Sequence, residues 1–575
     1  MMNFELAELF YNIADILEML GVAWKPIAYR KAARQLESLS KDIKDIYEEG
    51  GIEAVQDIPS IGESIAKKIT QYIETGKIDE YEKLKAKLPE GLAKLLEIES
   101  IGPKRAAILY KKLKIESIGD LKQAITQNKI AKLAGFGLKS QQNIAAGLDL
   151  FQKSKERASL GEVIPIANEI INILKKVPGV EHAMPAGSVR RWKETVGDLD
   201  ILVVSKHHKI IMDKFTTMPI VQRILAKGKT KSTVILKNNL QTDVRVLEKR
   251  SFGAALNYFT GNVDHNITLR RIAIEKGYKL SEYGLFDRKT GKFIAGRTEE
   301  ELYKKLGMRY IEPELRENRG EINAAISNKL PKLITLSDIR GDLHAHTKWS
   351  DGTNTIEQMV RAAQDLGYEF ICISDHSQTQ AIARGLKIGQ IIRQVAEIKK
   401  LQKKFKIKIL IGSEVDILSN GELDFPDEIL KKLDVVIGSV HSGFKSSKEK
   451  MTQRVITALQ NKYLNILGHP TGRLINKRNP YEIDLKKVFD AAAQNKKIME
   501  IDSHPARLDL KDEHILLAKQ YGLKFAINSD AHSVEQLKLL EFGVHSARRG
   551  WLEAGDVINT YKLSGLAKTL HRTKL

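Results

Sequence analysis

The 575-residue sequence predicts a multidomain chain with a helical first part, an α+β middle and a C-terminal α/β barrel. Three observations predict it. Apolar residues recur at helical spacing from the start: Phe4, Leu6, Leu9, Phe10, Ile13, Ile16, Leu17 and Leu20. Between 160 and 310, β-like runs enter at 201–204, 233–236 and 243–247, the first preceded by an acidic pair. From about 340 onward, apolar runs recur roughly every 30–40 residues, the spacing of a strand–helix unit, and most end in His, Asp or Glu. A length of 575 exceeds what one core of roughly 250–300 residues can serve.

In the helical part, three stretches look alike: 58–66, 98–107 and 133–140. Each places a glycine (Gly62, Gly102 or Gly137) at a tight turn opening a new helix. A glycine there lets backbone N–H groups approach a phosphate, and the helix N-terminus adds partial positive charge. Such hairpins hold the DNA backbone without reading bases. One copy is an ordinary helical corner; three copies in a chain of net charge +21 and pI near 9.5 favour nucleic acid.

Composition excludes other classes. The chain is 42% apolar with a mean hydropathy of −0.28, which suits a globular protein rather than a disordered one. No run approaches the roughly 18 apolar residues of a membrane helix. Glu5 and Glu8 stand where a signal peptide carries Lys or Arg, so a cytoplasmic, nucleoid-associated location is expected. A lone cysteine, Cys372, excludes an intrachain disulfide.

In the middle part, GlySerValArgArg (187–191) precedes GlyAspLeuAsp (197–200) and an apolar strand. Asp198 and Asp200 lie two apart, so both carboxylates share one strand face. Asp243 opens another strand and can supply a third. Side-by-side carboxylates repel unless a cation sits between them, and oxygen ligands on a rigid sheet suit Mg²⁺. Two such ions can activate an attacking 3′ hydroxyl and stabilise a leaving pyrophosphate. Gly187, Ser188, Arg190 and Arg191 sit in a turn suited to a triphosphate.

In the last part the run ends are His344 and His346, His376, Glu414, His441, His469, and Asp530 with His532; Asp351 follows the first pair. Ligands at the carboxyl ends of successive strands describe the mouth of a β/α barrel. Six imidazoles and three carboxylates exceed one ion's needs and suit a cluster of Zn²⁺, Mn²⁺ or Fe²⁺. Such a cluster lowers the pKa of bound water and clamps a phosphate, which points to phosphoester hydrolysis. His504 is a further candidate near the mouth, as a substrate neighbour rather than a ligand; Arg507 and Arg473 can meet phosphate, solvated arginine being the default for each.

Two segments then make the chain recognisable. SerPheGlyAlaAlaLeuAsnTyrPheThrGly (251–261) followed by AsnValAspHisAsnIleThrLeuArg (262–270), with the aspartate motif, resembles the DNA polymerase X family over residues 1–315. The second half resembles the polymerase and histidinol phosphatase (PHP) domain, and all nine of its expected ligand positions are filled. The domain order is similar to the bacterial and archaeal type of that family.

The resemblance implies a lyase-like helical domain (1–80), helical fingers (81–150), an α+β nucleotidyltransferase palm (151–250), a thumb (251–318), a linker (319–337) and an α/β PHP barrel (338–575). Asp198, Asp200 and Asp243 match catalytic aspartates. Ser188, Arg191 and Gly197 match triphosphate contacts; Tyr258, Phe259 and Gly261 match the sugar-sensing segment; Asn266 and Arg270 match minor-groove and template contacts. Lys68 falls at the Schiff-base lysine, and Tyr29 and Lys25 match 5′-phosphate neighbours, but Ser64 and Trp24 replace the family's lysine and histidine there.

The implied function is gap-filling synthesis in base excision repair with a 3′→5′ exonuclease in the same chain. Mg²⁺ is implied at the palm and a Mn²⁺ or Zn²⁺ cluster in the barrel. Implied partners are gapped or primer–template DNA and dNTPs, with no membrane, the chain acting as a monomer. A PHP half acting as a phosphatase or on abasic sites, a DNA-binding scaffold, and a template-independent nucleotidyltransferase are the alternatives.

Overall fold

The computed structural model describes residues 2–37, 39, 43–85, 92, 95–96, 98 and 100–571. The chain divides into two compact units: Met1–Lys155 with the short segments 351–354 and 476–478, and the remainder.

The first unit is helical. Helices Met2–Met19, Lys25–Glu37, Ile43–Gln56 and Glu63–Thr75 bury Leu6, Phe10, Ile13, Leu36 and Ile69 in one core. Helices Pro103–Leu113, Ile118–Thr126 and Gly137–Glu156 surround a second core of Leu109, Leu121, Ile130 and Ile144.

The three hairpins share one turn. Ile61, Ile101 and Phe136 donate their N–H to the carbonyls of Ile58, Ile98 and Leu133, at 3.0, 3.0 and 3.1 Å. The left-handed residue of this turn is Ser60 (φ 68°), Ser100 (φ 76°) or Gly135 (φ 83°). Gly62 and Gly102 instead cap their helices with extended backbone, so positive φ is not what selects glycine there. An added Cβ at Gly62, Gly102 or Gly137 meets nothing within 4 Å, so no packed neighbour demands glycine at these turns; at Gly137 a φ of +73° does favour it.

The second unit opens with a five-stranded sheet made of β1 (Val180–Pro185), β2 (Asp198–Ser205), β3 (Val221–Lys227), β4 (Lys231–Leu236) and β5 (Gln241–Leu247), in spatial order β1-β2-β5-β4-β3. Only the β2–β5 pair is parallel. Strand β2 is apolar on both faces because both are covered. Leu199, Ile201 and Val203 pack with helices Leu160–Lys175 and His208–Thr216, while Leu202 packs on Ala255 and Leu256. A small antiparallel sheet of β6 (Tyr278–Ser281), β7 (Gly284–Asp287) and β8 (Phe293–Ala295) follows.

Residues 319–337, expected as a linker, carry local structure. They contain helix Glu321–Ile326, whose Glu321, Ile322 and Ala325 are buried, and Arg319 pairs with Asp512 at 3.2 Å. The lysines of this stretch, Lys329 and Lys332, are exposed.

The remainder is a parallel sheet of seven strands in sequential order: β9 (Gly341–Ala345), β10 (Phe370–Ile373), β11 (Lys408–Asp416), β12 (Val435–Ser439), β13 (Ile466–Leu467), β14 (Ile498–Asp502) and β15 (Phe525–Asn528). Its two edges nearly close: Ala345 bridges Ala531, and the His346 N–H donates to the Ala531 carbonyl at 2.8 Å. Leu343, Cys372, Leu410, Ile437, Ile466, Ile498 and Ala526, one from each strand, meet in a single core. The expected barrel is present.

Candidate active sites

In the five-stranded sheet, strand register builds the first site. Parallel pairing sets Asp200 directly opposite Asp243. Asp198 and Asp200 lie on the same face as Leu202, at the end of β2 nearest helix Gly187–Arg190. Burial first, then the charges of Asp198 and Asp243, push the Asp200 carboxyl up to about 6. The Lys231 ammonium lies 2.6 Å from one oxygen of Asp243; the other, Oδ1, is buried without a hydrogen bond. A crowded, under-neutralised carboxylate set of this kind fits a hard divalent cation.

Glycine is required at two places here. Gly187 has φ +58°, and a Cβ on it would stand 3.1 Å from Asp200 Oδ2. Gly261 has φ +73°, and a Cβ on it would stand 3.1 Å from Arg191 Nη1. The Arg191 guanidinium donates to Glu317 Oε1 at 3.0 Å and to the Thr260 carbonyl. Arg190, expected in the triphosphate turn, is otherwise engaged: it forms a two-pronged pair with Glu299 (3.0 and 2.6 Å) and reaches Thr260. Glu299 also takes the fully buried Arg316 at 2.6 Å.

Tyr258 and Phe259 pack edge to face at 5.1 Å, and Arg245 stacks on Phe259 at 4.4 Å. Asn266 donates to the Tyr258 carbonyl at 2.7 Å, and Arg270 lines the same small cavity as Tyr258 and Asn266. Ser188 lies in helix Gly187–Arg190, and Gly197 immediately precedes β2. The predicted nucleotide residues of residues 187–270 therefore gather around the aspartate edge and helix Phe252–Thr260.

The barrel mouth holds the second site, and its carboxylate hub is Glu414. His376 Nδ1 lies 2.7 Å from Glu414 Oε2, His441 Nε2 3.3 Å from Oε1, and His469 Nε2 2.9 Å from Oε1. Asp530 Oδ1 lies 3.1 Å from His346 and 3.5 Å from His344. Three groups are tight enough to hold an ion each: His346–Asp351–His376–His532, His344–His346–Asp530 and His376–Glu414–His441. With His469 on Glu414, all nine predicted ligands converge. His344 Nε2 and Glu414 Oε2 are buried without hydrogen bonds, as donor atoms reserved for metal would be. An imidazole-rich set with few carboxylates suits Zn²⁺, Mn²⁺ or Fe²⁺.

Burial opposes charge on His344, yet Glu500, Asp530 and Glu414 outweigh it and hold its imidazole well above the usual value. Burial, then His532 and His376, push His346 down to about 4. Arg473 is buried and donates to Glu194 at 2.7 Å and to the Leu508 carbonyl. Arg507 does lie beside the site, 3.8 Å from Asp530.

Sequence reasoning missed the residues behind the ligands. Glu500 on β14 accepts from His344 Nδ1 at 2.7 Å, and Asp416 on β11 accepts from His441 Nδ1 at 2.6 Å. Such partners fix ring orientation and tautomer. The available signal was an acid inside an apolar strand, as in IleMetGluIleAsp (498–502).

The DNA polymerase/3′-5′ exonuclease PolX of Bacillus subtilis (strain 168) is 37% identical to this chain over 572 residues, 99% of each protein. The chain belongs to the PolX family. Family models place a helix-hairpin-helix domain at 1–78, a SAM-like helix-hairpin-helix tandem at 92–149, a DNA polymerase beta thumb at 255–317 and a PHP domain at 342–504. The PHP half of this PolX chain is also similar to smaller proteins. A probable phosphatase of Thermoanaerobacter sp. (strain X514) is 33% identical over 38% of this chain and 89% of its own length. One of Caldicellulosiruptor bescii is 33% identical over 33% of this chain and 79% of its own.

In the PolX N-terminal domain, Lys68 is not a solvated lysine. It pairs with Glu80 at 3.0 Å and donates to Ser64 Oγ at 2.9 Å, with Tyr29 donating to the same Glu80 at 3.2 Å. Burial, then Glu80, push the Tyr29 phenol up. Lys25 is exposed at the start of its helix.

Proposed function

We propose that this PolX-family chain fills short gaps in DNA during base excision repair and removes 3′-terminal nucleotides with its PHP barrel. The observation that carries the reading is two separate centres in one chain: an aspartate edge on a palm sheet and an imidazole cluster at a barrel mouth. A relative 37% identical over 99% of its length is named for both activities.

Asp198, Asp200 and Asp243 would hold Mg²⁺, which supplies a Lewis acid for the primer hydroxyl and the leaving pyrophosphate. Around it, Ser188, Arg191 and Gly197 receive the triphosphate. Tyr258, Phe259 and Gly261 crowd the sugar and exclude a 2′ hydroxyl by sterics. Asn266 and Arg270 face the template pair. In the barrel, the nine ligands would hold Mn²⁺ or Zn²⁺, with Arg507 at hand for the phosphate. The exposed hairpin glycines Gly62, Gly102 and Gly137 open backbone N–H groups to DNA phosphates. Lys68, Tyr29 and Lys25 are proposed to meet the 5′ end of the gap.

The test is a gapped-duplex assay with and without dNTPs. Asp198→Ala with Asp200→Ala removes synthesis and keeps 3′→5′ degradation; His344→Ala with His346→Ala removes degradation and bound metal and keeps synthesis. Loss of both activities in either variant refutes two separate centres. Similarity to probable phosphatases makes a sugar phosphate the competing substrate, and faster turnover of it than of single-stranded DNA overturns the exonuclease reading.

A further inference from the structure

The segment Arg191–Glu194 carries the link between the predicted triphosphate turn and the aspartate strand, and three of its four residues are gripped by the barrel half. Arg549, on helix Leu540–Arg549, donates from Nη1 to the backbone carbonyl of Arg191 at 2.6 Å and to Glu317 Oε1 at 3.1 Å. Glu317 Oε1 is the same atom that accepts Arg191 Nε at 3.0 Å. Trp192 lies flat on His545 (3.6 Å between centroids, 5° apart) with Phe542 at its edge. Arg473 donates to Glu194 at 2.7 Å. Asp512 anchors Arg549 from behind, 2.5 Å from Nη2.

Arg549 thus holds Arg191 at two points. It fixes the backbone directly and fixes the guanidinium through the carboxylate they share. Both arginines are nearly buried, so a water molecule is a poor replacement for either hydrogen bond. Among the described residues, the other hydrogen bond of the Arg191 guanidinium goes to the Thr260 carbonyl.

We propose that Arg549, a residue of the PHP half, is a positioning residue for nucleotidyl transfer: it presets the Arg191 guanidinium for the triphosphate of the incoming dNTP. This rests on the role given to Arg191 under the proposed function. It makes the nuclease half a working part of the polymerase site rather than an appended activity.

The experiment uses the full-length chain and single-nucleotide insertion into a one-nucleotide gap. In Arg549→Ala, KM for dNTP rises about tenfold or more, as expected for a lost hydrogen bond to a charged group. The affinity for the gapped DNA, and 3′→5′ degradation of a single-stranded oligonucleotide, stay at the wild-type level. Arg549→Lys, which keeps the charge and one donor, recovers part of the loss. Asp512→Asn loosens Arg549 without touching Arg191 and gives the same pattern in smaller measure; it carries the test if Arg549→Ala fails to fold. An unchanged KM for dNTP in a folded variant overturns the proposal. So does an equal fall in synthesis and degradation, which marks Arg549 as domain glue. Wild-type protein that does not extend a gapped primer would sink the proposed function itself, a result distinct from either.

Discussion

Replacing Glu500 by Gln alters one atom and leaves the shape of the barrel intact. Glu500 is fully buried and meets three donors: His344 Nδ1 at 2.7 Å, Asn528 Nδ2 at 2.8 Å and the His469 N–H at 2.6 Å. A carboxylate accepts all three. Glutamine has one acceptor oxygen and an NH₂ donor, so in either orientation a donor confronts a donor. A buried donor left unmade costs about 1–3 kcal/mol, and loss of the carboxylate behind a metal-binding imidazole lowers metal affinity or activity by about 10–100-fold. Glu500→Gln is therefore expected to reduce bound metal, measured by elemental analysis after dialysis, and to slow 3′→5′ degradation by that factor. Primer extension by the same preparation is the control, because the aspartates stand on another sheet. Full metal content with wild-type degradation in a folded variant would refute the orienting role of Glu500.

Three further outcomes are expected. Gly261→Ala forces a Cβ into left-handed backbone 3.1 Å from Arg191 Nη1; strain of about 1–2 kcal/mol should lower the melting temperature and raise KM for dNTP, and an unchanged KM would contradict the packing of that turn. Glu314 joins His545 and Arg548, and although burial opposes its charge, these partners lower its carboxyl to about 2 from 4.5. The stabilisation is present above pH 4.5 and fades as pH falls toward 2. Wild type should lose about 2 kcal/mol between pH 7 and pH 3 that Glu314→Gln does not lose, read by urea unfolding. Chelator treatment should lower the thermal stability of the barrel by about 3 kcal/mol if metal was present at 100 times its Kd, and calorimetry showing no change would argue against an ion at the mouth.

Much of this molecule is legible along the chain. His344, His376, His441 and His469 each close an apolar run, and the strand–helix alternation of a β/α barrel implies that such ends meet at one mouth. Asp198 and Asp200 declare themselves by a spacing of two, and the three hairpins by repetition. These signals are local: each needs only a few neighbouring residues to be read. Other features join residues far apart. Glu500 lies 156 positions from the His344 it orients, Arg549 is 358 positions from the Arg191 carbonyl it holds, and Arg319 pairs with the distant Asp512. A buried carboxylate or arginine is tolerable only beside its partner, and which partner arrives depends on the closure of the barrel and on its fit against the palm, not on any stretch of neighbouring residues. Local pattern thus names the groups that can do chemistry, while long-range packing selects the ones that hold them in place.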